Sequence, residues 1–165
     1  MTKVYLAYTQ AENLSCAARL LLAQALGFVP QLRAGDHGKP YLVGHPEIEC
    51  NLSHTKGLVA CAISEWPVGV DVEQSNRQAL RIAARFFTPC ERAGVQNNAD
   101  AVRVWTRKEA LLKRDGRGIS VQLDTVETQD HPELYTWQLD EYFLSVCCSG
   151  PAPTLCWQEI CGKQV

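Results

Sequence analysis

Three carboxylates and a lysine carry the chemistry this sequence offers. Asp71 and Glu73 lie in VGVDVE (68–73), and Glu109 and Lys113 lie in WTRKEALLK (105–113). The first segment reads as a strand, so Asp71 and Glu73, two residues apart, point to the same side. The second reads as a helix, with good helix formers at Ala110, Leu111 and Leu112 and no Gly or Pro before Gly116. On it Trp105, Glu109 and Lys113 stack at i, i+4 spacing along one side. A carboxylate set between an aromatic ring and a lysine is costly to bury without a partner. The economical reading is that Asp71, Glu73 and Glu109 meet at a hard divalent cation that grips a phosphate, with Lys113 beside it. The pair Asp71/Glu73 alone also suits the polar outer side of an antiparallel edge strand.

The remaining chain must position these groups. KVYLAYT (3–9) alternates like a strand, and Thr9 with Glu12 forms a capping-box pattern for a helix carrying Leu14, Ala18, Leu21, Leu22 and Ala25, closed by Gly27. RAGDHGKPYL (33–42) reads as a turn-rich loop. There Gly38 permits close backbone approach and Pro40 holds Lys39 extended, a slot with an anion-facing lysine. IECNLSHTKGLVACAI (48–63) reads as strand, turn, strand, with Ser53 and His54 at the turn and Lys56 nearby, a plausible anion cradle. Ser53 and His54 are adjacent on an extended chain and point apart, so they are no nucleophile–base pair.

After Gln74 the pattern turns helical. SNRQALRIAARFF (75–87) has Ser75 as a possible cap and a stripe of Leu80, Ala83, Ala84 and Phe87. Thr88-Pro89-Cys90-Glu91 is a second capping box, which gives Glu91 a structural task. The basic helix runs from Asp100 to Arg114 and stops at Asp115-Gly116-Arg117-Gly118. ISVQL (119–123), the stretch around Tyr135 to Leu139, YFLSVCC and TLCWQEI look like strands of an antiparallel sheet.

Composition bounds the function. The chain has 165 residues, 46% hydrophobic and 21% charged, as for one globular unit or two small halves sharing a core. No apolar run reaches membrane-spanning length, and MTKVYLAYTQ lacks the core of a signal peptide, so a cytoplasmic location is expected. The net charge of −2 argues against a nucleic-acid partner, yet ten of the sixteen Lys and Arg fall between Arg77 and Arg117, a field suited to an anionic ligand or an acidic protein surface. The eight cysteines contain no CxxC pair and sit mostly in apolar segments, where they act as small hydrophobes.

Taken in order, GKP (38–40), NLSH (51–54), VGVDVE (68–73), FFTPCE (86–91) and WTRKEALLK (105–113) followed by GRGIS resemble the motifs of the 4′-phosphopantetheinyl transferases, in particular the Sfp-type branch. The resemblance implies an α+β fold of two pseudo-symmetric halves, each with a small antiparallel sheet on a long helix. The expected division is residues 1–74 for the coenzyme A side and 75–165 for the metal and carrier side, in a monomer. The implied reaction moves the 4′-phosphopantetheine group of coenzyme A to a serine of an acyl or peptidyl carrier protein and releases 3′,5′-ADP. Such enzymes serve fatty-acid, polyketide and peptide pathways. By position, Asp71, Glu73 and Glu109 would hold Mg²⁺ or Mn²⁺, and Lys113 would face the transferred phosphate. Gly38, Lys39 and Pro40 would flank the adenine and 3′-phosphate end, and Ser53 and His54 would hold phosphates. Glu91 matches the acid of the family's (F/W)SxxE-like motif, with Thr88 in the usual Ser place. Glu91, Glu109 or a water on the metal would take the serine proton. The basic region would dock an acidic carrier helix through Arg81, Arg85 and Arg107. The chain departs from typical members in a shorter N-terminal half and in lacking a basic cluster ahead of the first helix, since only Lys3 precedes Arg19. Two other classes fit the same residues: a non-catalytic coenzyme A or nucleotide-binding module, and an interaction domain whose basic helix binds an acidic partner.

Overall fold

Two small sheets share a core, and each carries a helix on its outer side. The computed structural model describes residues 1–116 and 122–160. The first sheet has the order β4-β5-β1-β9, from β4 (Glu49–Thr55), β5 (Leu58–Ser64), β1 (Lys3–Tyr8) and β9 (Thr154–Trp157). The second has the order β6-β8-β7, from β6 (Val68–Gln74), β8 (Tyr142–Cys148) and β7 (Leu134–Leu139). A two-stranded ribbon, β2 (Leu32–Ala34) with β3 (Pro40–Leu42), completes the strands described.

Alternation along the strands sets the layers. Val4, Leu6, Leu58, Ala60 and Ala62 of the first sheet pack against Val68, Val70, Val72, Leu144 and Val146 of the second. The opposite side of the first sheet, with Ala7, Val59 and Cys61, takes α1 (Leu14–Leu26) through Ala17, Ala18, Leu21 and Leu22. The long helix α4 (Asn98–Asp115) covers the outer side of the second sheet through Trp105, Ala110, Leu111 and Leu112. Two shorter helices, α2 (Leu80–Phe86) and α3 (Pro89–Gly94), lead into it. This is the α+β arrangement of paired sheet-and-helix layers that the motifs imply.

The halves exchange strands. β6 precedes residue 75 but belongs to the second sheet, while β9 returns from the far end of the sequence to pair with β1. That pairing is parallel, Lys3 opposite Thr154 through Leu6 opposite Trp157, where an antiparallel strand is the expectation.

Most differences from the sequence reading lie at element ends. Helix α1 starts later than Thr9 predicts: Asn13 is its cap, with Oδ1 accepting from Cys16 N at 2.9 Å. Ser75 does not cap α2. The N–H groups left open there, Ala79 N at 2.9 Å and Leu80 N at 3.4 Å, go to Asn98 Oδ1. The stripe also rotates: Ala83 and Phe87 are buried, but Leu80 is 48% exposed. The Thr88–Glu91 capping box forms as expected. So does a further one, Asn97 with Asp100, at the start of α4. The β4–β5 turn is Lys56-Gly57, so Ser53 and His54 lie within β4. Residues 117–121, which hold Arg117, Gly118 and most of ISVQL, lie outside the described residues, and Leu123–Thr125 forms a single 3₁₀ turn.

Close approach of backbones places α4. A Cβ on Gly69 would lie 2.0 Å from Ala110 O and 2.4 Å from Arg114 N, so β6 and α4 touch main chain to main chain. The clash is with backbone on both sides and has no rotamer to relieve it. Gly69→Ala is expected to cost about 3 kcal/mol or more, read as a fall in the urea midpoint. Gly94→Ala, where nothing lies within 4 Å of the added carbon, is expected to leave the midpoint unchanged or raised.

Candidate active site

Strand β4 meets β6 edge to edge, but side chains replace the ladder. Asn51 Oδ1 accepts from Val70 N at 3.0 Å, and Ser53 Oγ accepts from Val72 N at 3.1 Å. These i, i+2 residues of β4 satisfy alternate N–H groups of β6 that would otherwise be buried orphans. With Val70 and Val72 turned into the core, Asp71 and Glu73 face α4.

Asp71 is the centre of the site. It is 4% exposed. Its Oδ1 accepts from Lys113 Nζ at 2.6 Å and from Ser53 Oγ at 3.0 Å. Lys113 Nζ also donates to Ser53 Oγ and to Val70 O, both at 3.2 Å, so its three protons are used. Asp71 Oδ2 is buried with no partner. Leaving a buried carboxylate oxygen unpaired costs about 1–3 kcal/mol or more. Such an atom invites a ligand.

A cavity of about 370 Å³ opens here, walled by Asp71, Glu73, Arg77, Trp105, Glu109 and Lys113, with His54 exposed on β4 at its lining. Burial pushes the Glu109 carboxyl up, Asp71's negative charge adds to this, and Lys113 and Arg77 pull it back down. Glu73 turns to Arg77, four residues on, and forms an ion pair with its Nη1. Arg77 also lies over the Trp105 ring, its Cζ 5.9 Å from the centroid. Among the described residues, no group of three His, Cys, Asp or Glu side chains is placed to hold a metal ion. The three expected acids line one cavity, but protein cations hold two of them.

A narrower cavity of about 200 Å³ adjoins it, sharing Glu109 and Lys113 and adding Gly38, Lys39 and Pro40. Lys39 does not stand free in it. Its Nζ pairs with Glu49 at 2.9 Å and donates to Arg114 O at 3.0 Å, meeting a terminal carbonyl of α4.

Several expected roles therefore shift. Ser53 donates one hydrogen bond and accepts two, so its hydroxyl supports Asp71 and has no proton left for a phosphate. Glu91 lies outside both cavities. Its carboxylate accepts from Thr88 N at 2.9 Å and from Thr128 N and Oγ1 at 3.1 and 2.6 Å, and it pairs with Lys108 at 2.8 Å. Both side chains are sealed, at 1% and 0% exposure. Lys108 also donates to Leu123 O at 2.8 Å. This pair fastens α3 and the 123–128 loop to α4 and has no path to a substrate. Arg107, expected at a docking surface, donates to Thr128 O, Gln129 O and Thr136 Oγ1 and is half-buried. Arg81 and Arg85 are exposed on α2.

Sequence reasoning missed Arg77, Asn51 and Lys108 as parts of the site and its support. Arg77 comes back beside Glu73 through the turn after β6, in which Arg77 N donates to Gln74 O at 3.0 Å. For Asn51 no local signal exists, because its partner is 19 residues away.

The layered fold agrees with the comparisons. The profile of the 4′-phosphopantetheinyl transferase superfamily matches residues 67–150, about half of the chain. The chain belongs to that superfamily. It is similar to a 4′-phosphopantetheinyl transferase of Bacillus subtilis, 30% identical over 158 residues, covering 81% of this chain and 70% of the relative. It is also similar to 4′-phosphopantetheinyl transferase AcpT of Salmonella typhimurium, 34% identical over 148 residues, covering 82% and 76%. With 4′-phosphopantetheinyl transferase Sfp of Bacillus subtilis strain 168 it shares 27% identity over 138 residues, covering 70% and 62%. The chain thus spans between 62% and 76% of the length of these relatives.

The buried pair gives a sharp test of its role. Lys108→Met strands a buried carboxylate and is expected to cost about 3–5 kcal/mol in chemical denaturation. Adding Glu91→Gln removes that charge and should recover a large part of the loss. A recovered fold with transfer activity restored would mark the pair as structural.

Proposed function

We propose that this chain transfers the 4′-phosphopantetheine group of coenzyme A to a serine of an acyl or peptidyl carrier protein, with Mg²⁺ or Mn²⁺, releasing 3′,5′-ADP. Superfamily membership supports phosphopantetheinyl transfer in general. The observation that carries the reading to these residues is the unpartnered Asp71 Oδ2, buried beside Glu73, Glu109 and Lys113. Oxygen ligands of this kind suit a hard divalent ion. Asp71, Glu73 and Glu109 would hold it. When bound, the ion supplies Lewis-acid neutralisation of the diphosphate oxygens.

The other steps belong to the chain's own groups. The serine oxygen forms a bond to the phosphorus next to pantetheine, and the bond from that phosphorus to the bridging oxygen breaks. Lys113, anchored by Ser53, Asp71 and Val70 O, presents a positive charge where the phosphates gain negative charge. Of the two acids expected to take the serine proton, Glu109 lines the cavity and Glu91 does not. As a proposed metal ligand, Glu109 would take the proton only through an oxygen that the ion leaves free. The narrower cavity, with Gly38, Lys39 and Pro40, is the place for the nucleotide end of coenzyme A. Its only described lysine besides Lys113 is already paired with Glu49, so the 3′-phosphate competes with that acid for Lys39. Residues 1–74 would serve mainly coenzyme A, and 75–165 the metal and the carrier. The exposed Arg81 and Arg85 on α2 form the docking surface for an acidic carrier helix. No helix among the described residues is long and apolar enough to cross a membrane. A cytoplasmic monomer is part of the proposal.

Incubation with Mg²⁺, coenzyme A and apo carrier domains should add the phosphopantetheine mass to a carrier serine. Asp71→Asn and Glu109→Gln should each slow transfer by roughly 100-fold or more while preserving the circular dichroism spectrum. Binding of coenzyme A with no transfer to any acyl or peptidyl carrier would instead mark a binding module. Arg81→Glu and Arg85→Glu should each raise the carrier KM about three- to tenfold and leave the coenzyme A KM unchanged, measured by steady-state kinetics with each substrate varied.

A further inference from the structure

The wide cavity faces three carboxylates with two resident cations, Lys113 and Arg77, and the two cations are held differently. Lys113 uses all three protons on Asp71, Ser53 and Val70 O. Arg77 is fixed through its backbone, Arg77 O accepting from Asn98 Nδ2 and Arg77 N donating to Gln74 O at 3.0 Å, while its side chain has one ion pair, to Glu73, and the Trp105 ring. Its side chain is 45% exposed, while that of Glu73 is 14% exposed. A fixed backbone with a half-exposed, long side chain can redirect its charge without moving any strand or helix. The Trp105 ring already lies under the guanidinium, so the cation keeps one neighbour if it leaves Glu73.

From this geometry, and resting on the metal reading above, we infer that Arg77 is a resident competitor for the metal site. It holds Glu73 until a divalent ion enters and then turns its guanidinium to the incoming diphosphate. Glu73 cannot serve both cations. While it pairs with Arg77, no trio of acids among the described residues is grouped for an ion. Release leaves Arg77 unpaired at the cavity wall, and its planar fork matches phosphate oxygens in pairs. Ion and anion then assist each other, and the assistance is reciprocal. A divalent ion alone must displace Arg77 with no compensation. An ion with coenzyme A gives Arg77 a new partner. Lys113 lacks this freedom, because its removal from Asp71 would break the bonds joining α4 to β4 and β6.

The test uses Mn²⁺ as probe and needs no turnover. Free Mn²⁺ is measured by electron paramagnetic resonance during titration of the full chain, with and without coenzyme A. Without coenzyme A, Arg77→Gln should bind Mn²⁺ roughly fivefold more tightly than the unaltered chain, the scale of one partly exposed ion pair. The gain in Mn²⁺ affinity on adding coenzyme A should shrink by a similar factor. Arg77→Lys keeps the charge and loses the fork, so its Mn²⁺ affinity alone should stay near that of the unaltered chain while its gain with coenzyme A falls. Asp71→Asn should remove Mn²⁺ binding in every background, and circular dichroism checks that each variant is folded. If Asp71→Asn removes binding but Arg77→Gln binds no more tightly than the unaltered chain, the competitor inference is overturned and the metal reading stands. If Mn²⁺ binds equally well after Asp71→Asn, or binds to none of the chains, both fail.

Discussion

The contact between Lys113 and Asp71 is the constraint on which the rest depends. It is one bond of 2.6 Å, yet it joins three elements, because the same ammonium reaches Ser53 on β4 and a carbonyl of β6. Helix α4 is pulled onto β6 at its C-terminal end by this charge and admitted there by Gly69, which has no side chain to hold the backbones apart. The edges of the two sheets are joined by Asn51 and Ser53 rather than by a continuous ladder. The polar seam between the halves and the acid-lined cavity are therefore the same place. Two edge strands that lack a mutual ladder must satisfy their N–H groups with side-chain oxygens. The oxygens supplied for that purpose also fix the orientation of Asp71.

The molecule spends its buried charges in two different ways. Glu91 and Lys108 form a closed set: nearly every oxygen and proton has a partner, and neither side chain sees solvent. Such a pair is close to neutral in net stability, because desolvation offsets attraction, but it penalises any alternative packing of α3 and the 123–128 loop. Asp71 is left open, with one oxygen engaged and one not. The count of partners separates the closed pair from the open carboxylate.

Much of this was legible from residue spacing. The side shared by Asp71 and Glu73 follows from the period of a strand, and that shared by Trp105, Glu109 and Lys113 from the period of a helix. The capping box at Thr88 was readable because its chemistry is local, closing within four residues. What escaped depends on distant partners. Ser53 reads as an anion donor until Val72, Asp71 and Lys113 are seen to use its hydroxyl. Lys39 reads as free until Glu49 and the end of α4 arrive beside it. At the start of α2 it is Asn98, from the first turn of α4, and not Ser75 that takes the open N–H groups. Long-range hydrogen bonds carry no periodic signature, so spacing can nominate a polar residue but not decide whom it serves.

The parallel seating of β9 on β1 has a consequence for how the chain is made. Lys3 must wait for Thr154 before the outer edge of its sheet is covered. During synthesis β1 can pair with β5 as soon as the hairpin emerges, yet its other side stays an open row of amides and carbonyls while both α2–α4 and the second sheet are still appearing. An uncovered edge of this kind recruits strands from neighbouring chains. Closure by a segment so far along the sequence also raises the mean loop length that folding must traverse. The sheet therefore stays half finished until its last strand is made, and crowded overexpression is the setting in which that delay matters most.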